Sequence, residues 1–426
     1  MAEAILLDDA SAQQGSAGLG LTVAIAWRNL WRNRRRTWLT VAGISFAIFL
    51  VAVGMAFQQG SYSNMIDNAT GLFMGQIQLS AQEYVDDQRL EHTLPNATQL
   101  AAALEAKGLA VAPRVQGFAL VSVGERSFGG LTIGVDFAAE QQVVNFFDKV
   151  SEGSLPQAAD GVLVGEILAR NLGAAVGDEL VVLGTGKEGG VAALALNISG
   201  LFRSGQSELD RTLLFAPLQT VQEGFFLEDE VHQFVIRARD ISALEPAQQA
   251  ARQAVAEVGV STPAAVRTWP EFLPELTQSI ELDRISARIM YGAILVLVTF
   301  SVVNTFLMVV FERTREFGML LALGMRPSAI ISQVLLEALF MWVLGAAIGL
   351  GLSLLLVGYF ATVGVQMPGM EELAAQYYMS DRLYPGFSVA LFTTAPLILL
   401  VGTQLAALLA TWRVRRISPV VALRAG

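Results

Sequence analysis

Cysteine is absent from the 426 residues, so neither a disulfide nor thiol chemistry is available to the chain. Histidine is nearly absent: His92 and His232 are the two present, and their separation in sequence excludes a His-rich metal site. Charge is scarce as well. Charged residues make up 15% of the sequence, where a soluble domain carries about a quarter. The balance is acidic, 28 Lys and Arg against 38 Asp and Glu for a net charge of −10. That argues against nucleic acid as a partner, which calls for a basic patch. No Ser-His-Asp set is visible. The carboxylates Asp136, Glu166, Asp178 and Asp210 fall at turns and strand ends and read as caps and solvated faces. The single phosphate-loop lookalike is Gly184-Thr185-Gly186-Lys187-Glu188. A phosphate loop needs a glycine five residues before its Gly-Lys and a Ser or Thr after the lysine, and Val181 and Glu188 stand there instead. The stretch reads as a hairpin turn. The chain is expected to bind no cofactor and to be no enzyme.

What the sequence has in abundance is apolar surface, 53% hydrophobic residues with a mean hydropathy of +0.50. Four uncharged stretches occur, at residues 37–57, 289–311, 338–361 and 386–412, the last with Pro396 inside it. At about 1.5 Å per residue each crosses a hydrocarbon core about 30 Å thick. Arginines cluster before the first stretch (Arg28 to Arg36), between the second and third (Arg313, Arg315, Arg326) and after the fourth (Arg413, Arg415, Arg416, Arg424), while the segment 362–385 holds Arg382 alone. Positive charge on the cytoplasmic side then places both termini in the cytoplasm and residues 58–288 outside. Trp27, Leu30 and Trp31 alternate with Arg28, Arg32 and Arg34 to Arg36, which suits a helix in the lipid headgroup layer or a plain topology signal.

The outer segment is long enough for its own core. Strand-like runs at 75–80, 115–123, 130–135, 162–164, 179–183, 194–202, 213–215 and 233–237 mix with helical patterns at 97–107, 166–172 and 245–258, which predicts an α+β domain. The expected organisation is a tail over 1–20, which lacks the basic start of a signal peptide. An interfacial helix and first span follow over 21–57. The extracytoplasmic α+β domain with helical stalk ends occupies 58–288. Three further spans, with a connecting stretch and a cytoplasmic tail, fill 289–426.

The stretch 311–336 between the second and third spans is unusual. It carries Glu312, Arg313, Arg315, Glu316 and Arg326, an apolar middle from Phe317 to Leu323, and the breakers Gly318, Gly324 and Pro327. It reads as a short surface helix ended by Gly324, with Pro327 opening the next helix. By residue type alone an ordinary helical hairpin fits as well. The spacing of Asn304, Glu312-Arg313, Glu316, Gly318 and Ala322-Leu323-Gly324, however, resembles the coupling segment of the permease family that includes MacB, LolC, LolE and FtsX. Further signatures similar to that family are Gly134-Val135-Asp136 with Glu140, Val164-Gly165-Glu166, Val176-Gly177-Asp178, Gly200-Leu201-Phe202, and Ile417-Ser418-Pro419 with Ala422-Leu423-Arg424.

The resemblance implies an ABC-transporter permease in a bacterial inner membrane. Glu312, Arg313, Glu316, Phe317, Gly318, Leu321, Ala322, Gly324 and Arg326 would then couple the chain to a cytoplasmic ATPase dimer that carries the ATP and Mg²⁺. It implies a second permease subunit, identical or related. It also implies mechanotransmission, in which hydrolysis moves the outer domain instead of opening a conduit. The lack of a fused nucleotide-binding domain makes the layout similar to LolC and LolE, whose cargo is lipoprotein. Export of a small molecule or peptide through a periplasmic adaptor, or an FtsX-like gate on an outer enzyme, stands as the alternative. Three further expectations concern the spans. Asn304 hydrogen-bonds a neighbouring helix; Glu337 has a structural partner such as a coupling-segment arginine; and Gly345 and Gly349, one turn apart, pack a helix of the same chain or of a second subunit.

Overall fold

The computed structural model describes residues 23–238, 243–366 and 382–412. The expected tail over 1–20, the arginines after residue 412 and the signature at 417–424 lie outside the described residues. Among those described, the chain divides into a helical unit, 23–62, 281–365 and 383–412, and an inserted unit, 63–238 and 243–280 together with residues 366 and 382.

The helical unit is built on four helices long and apolar enough to cross a membrane. They are Arg34–Ala69, Pro274–Glu312, Pro327–Val363 and Val389–Thr411. The first three are longer than the uncharged stretches that announce them, because polar residues beyond a hydrophobic run propagate a helix once it is nucleated. Two small-residue contacts set the approach of the first and third helices. A Cβ at Gly345 would stand 2.7 Å from Ile44 Cγ2, and one at Gly349 would stand 2.6 Å from the Ser45 carbonyl oxygen. Ser45 Oγ donates to the Gly345 carbonyl at 2.9 Å. The glycine stripe is thus taken up within the chain. Pro396 lies inside the fourth helix, and its carbonyl accepts from Trp342 Nε1 at 2.9 Å.

Asn304 departs from expectation. It is exposed on the second helix and makes no side-chain hydrogen bond among the described residues. The buried stripe there is Val302, Phe306 and Val309 with Val310. At 100° per residue Asn304 falls outside it.

The inserted unit is an α+β domain around one ten-stranded mixed sheet. Its strands run in the order Ala264–Thr268, Ile77–Ala81, Gln233–Arg237, Ala110–Val123, Arg126–Val135, Leu213–Pro217, Gly161–Gly165, Val191–Phe202 and Val150–Gly153, and Glu179–Thr185 pairs with both Ala110–Val123 and Val191–Phe202. Two pairings are parallel, Leu131–Val135 with Leu213–Pro217 and Gly161–Gly165 with the end of Val191–Phe202. The strands that enter and leave the domain are neighbours, with Ile77 opposite Thr268. One apolar cluster centres on Leu79, Leu100, Val121, Leu196 and Phe234, and a second on Phe146, Phe147, Phe202 and Phe215.

The sequence carboxylates resolve individually. Asp136 caps the helix Phe137–Val143 by accepting from the amides of Ala138 and Ala139. Asp178 accepts from the Ala175 amide at 2.8 Å. Glu166 is held well below the usual carboxylate range by hydrogen bonds from Arg203, against the opposing effect of burial. Asp210 is not on a solvated face: it is buried and takes the amide and hydroxyl of Ser204 at 2.7 and 2.6 Å. The Gly184–Glu188 stretch closes the hairpin between Glu179–Thr185 and Val191–Phe202, with the Gly186 amide donating to Gly190. Its Lys187 pairs with Glu230, which also accepts from Thr93.

Candidate functional site: the coupling segment

The stretch after the second long helix forms a short helix, Thr314–Ala322, entered through one non-helical residue, Arg313. Its end is a Schellman motif. The Met325 amide reaches back to the Leu320 carbonyl at 3.0 Å, the Gly324 amide reaches the Leu321 carbonyl at 3.1 Å, and Gly324 takes φ +91°. Only glycine adopts that conformation without strain. Pro327 then opens the third long helix, where its missing amide hydrogen costs nothing.

One face of this segment points into the helical unit. Phe317 and Gly318 are buried, and Phe317 joins the core with Leu30, Val310, Ile330 and Val334. Arg313 is buried beside them, its guanidinium 5.1 Å from the Phe317 ring. Arg313 Nη1 donates to both oxygens of Glu337, at 3.0 and 3.1 Å, while Nε donates to Glu316 at 3.0 Å. One guanidinium therefore serves two carboxylates. Glu337 also accepts from Asn29 at 3.0 Å and from Gln333 at 3.4 Å.

The partners from the start of the chain could not be read from spacing. Residues 23–32 are helical and pack Ala26 and Leu30 inward. Arg32 Nη2 donates to both oxygens of Glu316, at 2.8 and 3.0 Å, and Arg36 donates to Glu312 at 2.7 Å. Burial would raise the Glu316 carboxyl, but the hydrogen bonds from Arg32 and Arg313 outweigh it and hold the group below its usual range. Arg32, Arg36, Glu312, Arg313 and Glu337 border a cavity of about 240 Å³ whose wall also includes Thr37, Thr40 and Thr305.

The other face is open. Met319, Leu323 and Met325 are exposed, Leu323 by 80%, with Ala322, Gly324, Arg315 and Arg326 beside them and Leu321 half-buried. So the motif divides. Arg313, Glu316, Phe317, Gly318 and Glu337 make bonds or packing contacts inside the chain, Glu312 is exposed yet tied to Arg36, and Ala322, Gly324 and Arg326 face outward. Asn304 joins neither set. Leu323 of the pattern lies on the open face, joined there by Arg315, Met319 and Met325, which the spacing pattern does not single out.

Comparison with known proteins places the chain in a family. Residues 288–419 match the FtsX-like permease C-terminal family model, and residues 37–254, just over half the chain, match the MacB-like periplasmic core domain. The chain belongs to this MacB/LolC/FtsX-type permease family. The lipoprotein-releasing system transmembrane protein LolC of Xylella fastidiosa is 24% identical over 95% of this chain and 98% of its own length. The macrolide export ATP-binding/permease protein MacB 2 of Aeromonas hydrophila is 26% identical over 76% of this chain and 50% of its own, so the chain spans half of that relative. The crystal structure of the periplasmic region of MacB from Actinobacillus actinomycetemcomitans aligns with 50% of this chain and 94% of its own at 14% identity and a TM-score of 0.37. The chain is thus an ABC-transporter permease of this family and a multi-pass membrane protein, with the family's periplasmic core domain inserted between its first and second spans.

Proposed function

We propose that the chain is a non-catalytic inner-membrane subunit whose open coupling face docks a separate cytoplasmic ATPase, and that the docked motion is passed to the inserted domain. The observation that carries this is the division of the coupling segment. Its inner face is fixed to the start of the first span and to the third span, while Arg315, Met319, Leu323, Met325 and Arg326 form an apolar strip with cationic flanks that none of the described residues covers. An exposed strip of this kind on a short helix is suited to a groove in a partner protein. ATP and Mg²⁺ would sit on that partner, and both ends of the chain would be cytoplasmic.

Two helices carry the motion outward. Arg34–Ala69 and Pro274–Glu312 run on past the apolar core and lead to adjacent strands of the sheet. An ATPase dimer needs two docking segments and each chain has one, so a second permease subunit completes the assembly. Asn304, exposed on the apolar second span, supports this, because an amide in lipid gains most from a polar partner on a neighbouring helix. For cargo we favour lipoprotein release, supported by the near full-length similarity to LolC. The similarity to MacB supports the second reading, export with a periplasmic adaptor.

Purification of the chain from its native membrane in mild detergent, followed by mass spectrometry, tests this. Co-purification of an ATPase with a lipoprotein is the expected result. An ATPase with an adaptor and no lipoprotein moves the assignment to export, and the absence of any ATPase overturns the docking assignment.

A further inference from the structure

Residues 23–39 contain five arginines and no acid. Two of the five are engaged, Arg32 with Glu316 and Arg36 with Glu312. The other three, Arg28, Arg34 and Arg35, are exposed and have no partner among the described residues. Beside them Trp27 and Trp38 are 42% and 49% exposed. The indoles are not loose. Trp27 meets Trp31 edge-on at 5.8 Å, Trp31 meets Trp38 at 6.0 Å, and Trp27 meets Phe340 of the third span at 5.5 Å. The segment therefore has an inner side fixed by Ala26, Leu30, Asn29 and Arg32, and an outer side of free guanidinium groups and ordered indoles. That outer side immediately precedes the uncharged stretch of the first span, at the depth of lipid headgroups.

We infer that residues 23–39 form a docking surface for anionic phospholipid headgroups, and that its occupancy sets the position of the coupling helix Thr314–Ala322. The choice of occupant rests on charge. Guanidinium groups pair with phosphate oxygens in a fork. A zwitterionic headgroup also brings an ammonium group, and the carboxylates that meet the segment, Glu312, Glu316 and Glu337, are already engaged by Arg36, by Arg32 with Arg313, and by Arg313 with Asn29. The neighbouring polar cavity is not the site, since Glu312 and Glu337 line it. Transmission follows from adjacency. Arg28 lies one helical turn before Arg32, and Arg34 and Arg35 follow it by two and three residues; Arg32 in turn holds Glu316 of the coupling helix. A headgroup that fixes the three free arginines fixes the donors that grip the coupling segment. This inference does not depend on the ATPase.

The test uses the full chain alone. In native mass spectrometry from detergent, phosphatidylglycerol should be retained at least about tenfold over phosphatidylcholine, and added salt should erode the preference. Replacing Arg28, Arg34 and Arg35 together by Gln should abolish it, as the single Arg28→Gln should in part where the triple variant fails to insert. Equal retention of the two lipids by the unmodified chain, or an unchanged preference in the variants, overturns the docking surface. Hydrogen exchange over residues 314–322 should slow in phosphatidylglycerol nanodiscs relative to phosphatidylcholine. The Arg32→Gln variant should keep the lipid preference and lose the slowing. No slowing in the unmodified chain, or slowing that survives Arg32→Gln, overturns the transmission.

Discussion

Arg114 in the inserted domain and Arg313 at the coupling segment both rest on a glutamate, and the two pairs are built on opposite plans. Arg114 and Glu140 are 1% and 0% exposed and form one closed fork, with Nε and Nη2 donating at 2.5 and 2.7 Å. The Phe73 ring lies 4.1 Å from the guanidinium. Among the described residues neither charge has a second ionic partner. Arg313 instead divides its donors between Glu337 and Glu316, and Glu316 is 44% exposed and shared with Arg32. The closed fork has one arrangement and fixes a domain. In the shared one a guanidinium that loses one carboxylate still holds another. That is the construction expected of a segment that moves while it remains attached.

The comparison breaks most sharply at Glu140. Glu140→Gln leaves Arg114 charged and buried without its counter-ion, which should destabilise the inserted domain by about 3–5 kcal/mol, read as a lowered melting temperature of the full chain. Replacing both residues by apolar ones of similar volume should restore most of the loss. If the double replacement is as damaging as the single one, the pair has a role beyond satisfying its own charges.

At the coupling end the same test should give less. Glu337→Gln should cost about 1–3 kcal/mol, since Arg313 retains Glu316 and the new amide still accepts from Asn29. A loss as large as that at Glu140, measured by thermal unfolding in the same detergent, would make the two pairs alike and remove the contrast.

Acid supplies a comparison within the inserted domain. His232 is buried, with Nδ1 accepting from the Gln116 amide, and burial lowers its pKa to about 4. The folded domain then binds fewer protons than the unfolded chain between pH about 6.5 and about 4. Stability is full above that window and falls as pH drops through it, by about 3 kcal/mol. Melting temperature against pH should show this slope, and a His232→Gln variant should flatten it. The smallest effect belongs to the exposed ties: Arg36→Gln, which breaks the bond to the 47% exposed Glu312, should change stability by less than about 1 kcal/mol.

Legibility in the sequence follows the range of the interaction. The four spans were readable because each announces itself in one uninterrupted uncharged run. The longer strands were readable from alternation, and the Gly324 and Pro327 boundaries from backbone chemistry that belongs to single residues. The strands Val150–Gly153 and Ala264–Thr268 were not, since a short edge strand carries little pattern. The Arg114–Glu140 fork joins a strand to a helix 26 residues away, and Arg32 and Glu316 are 284 residues apart. No local period reports such pairs. The spacing of the coupling motif marked where the segment lies but not which side chains face inward, which depends on the neighbouring helices.

Docking of the ATPase on the outer strip of the coupling helix is open to a direct test. Because the chain has no cysteine, single thiols can be introduced without background. Leu323→Cys and Phe317→Cys, each purified with the co-isolated ATPase and treated with a short cross-linker, give the most direct test. Cross-linking to the ATPase at position 323 and none at position 317 is the predicted result. An ATPase that co-purifies yet never cross-links at position 323 would contradict the claim.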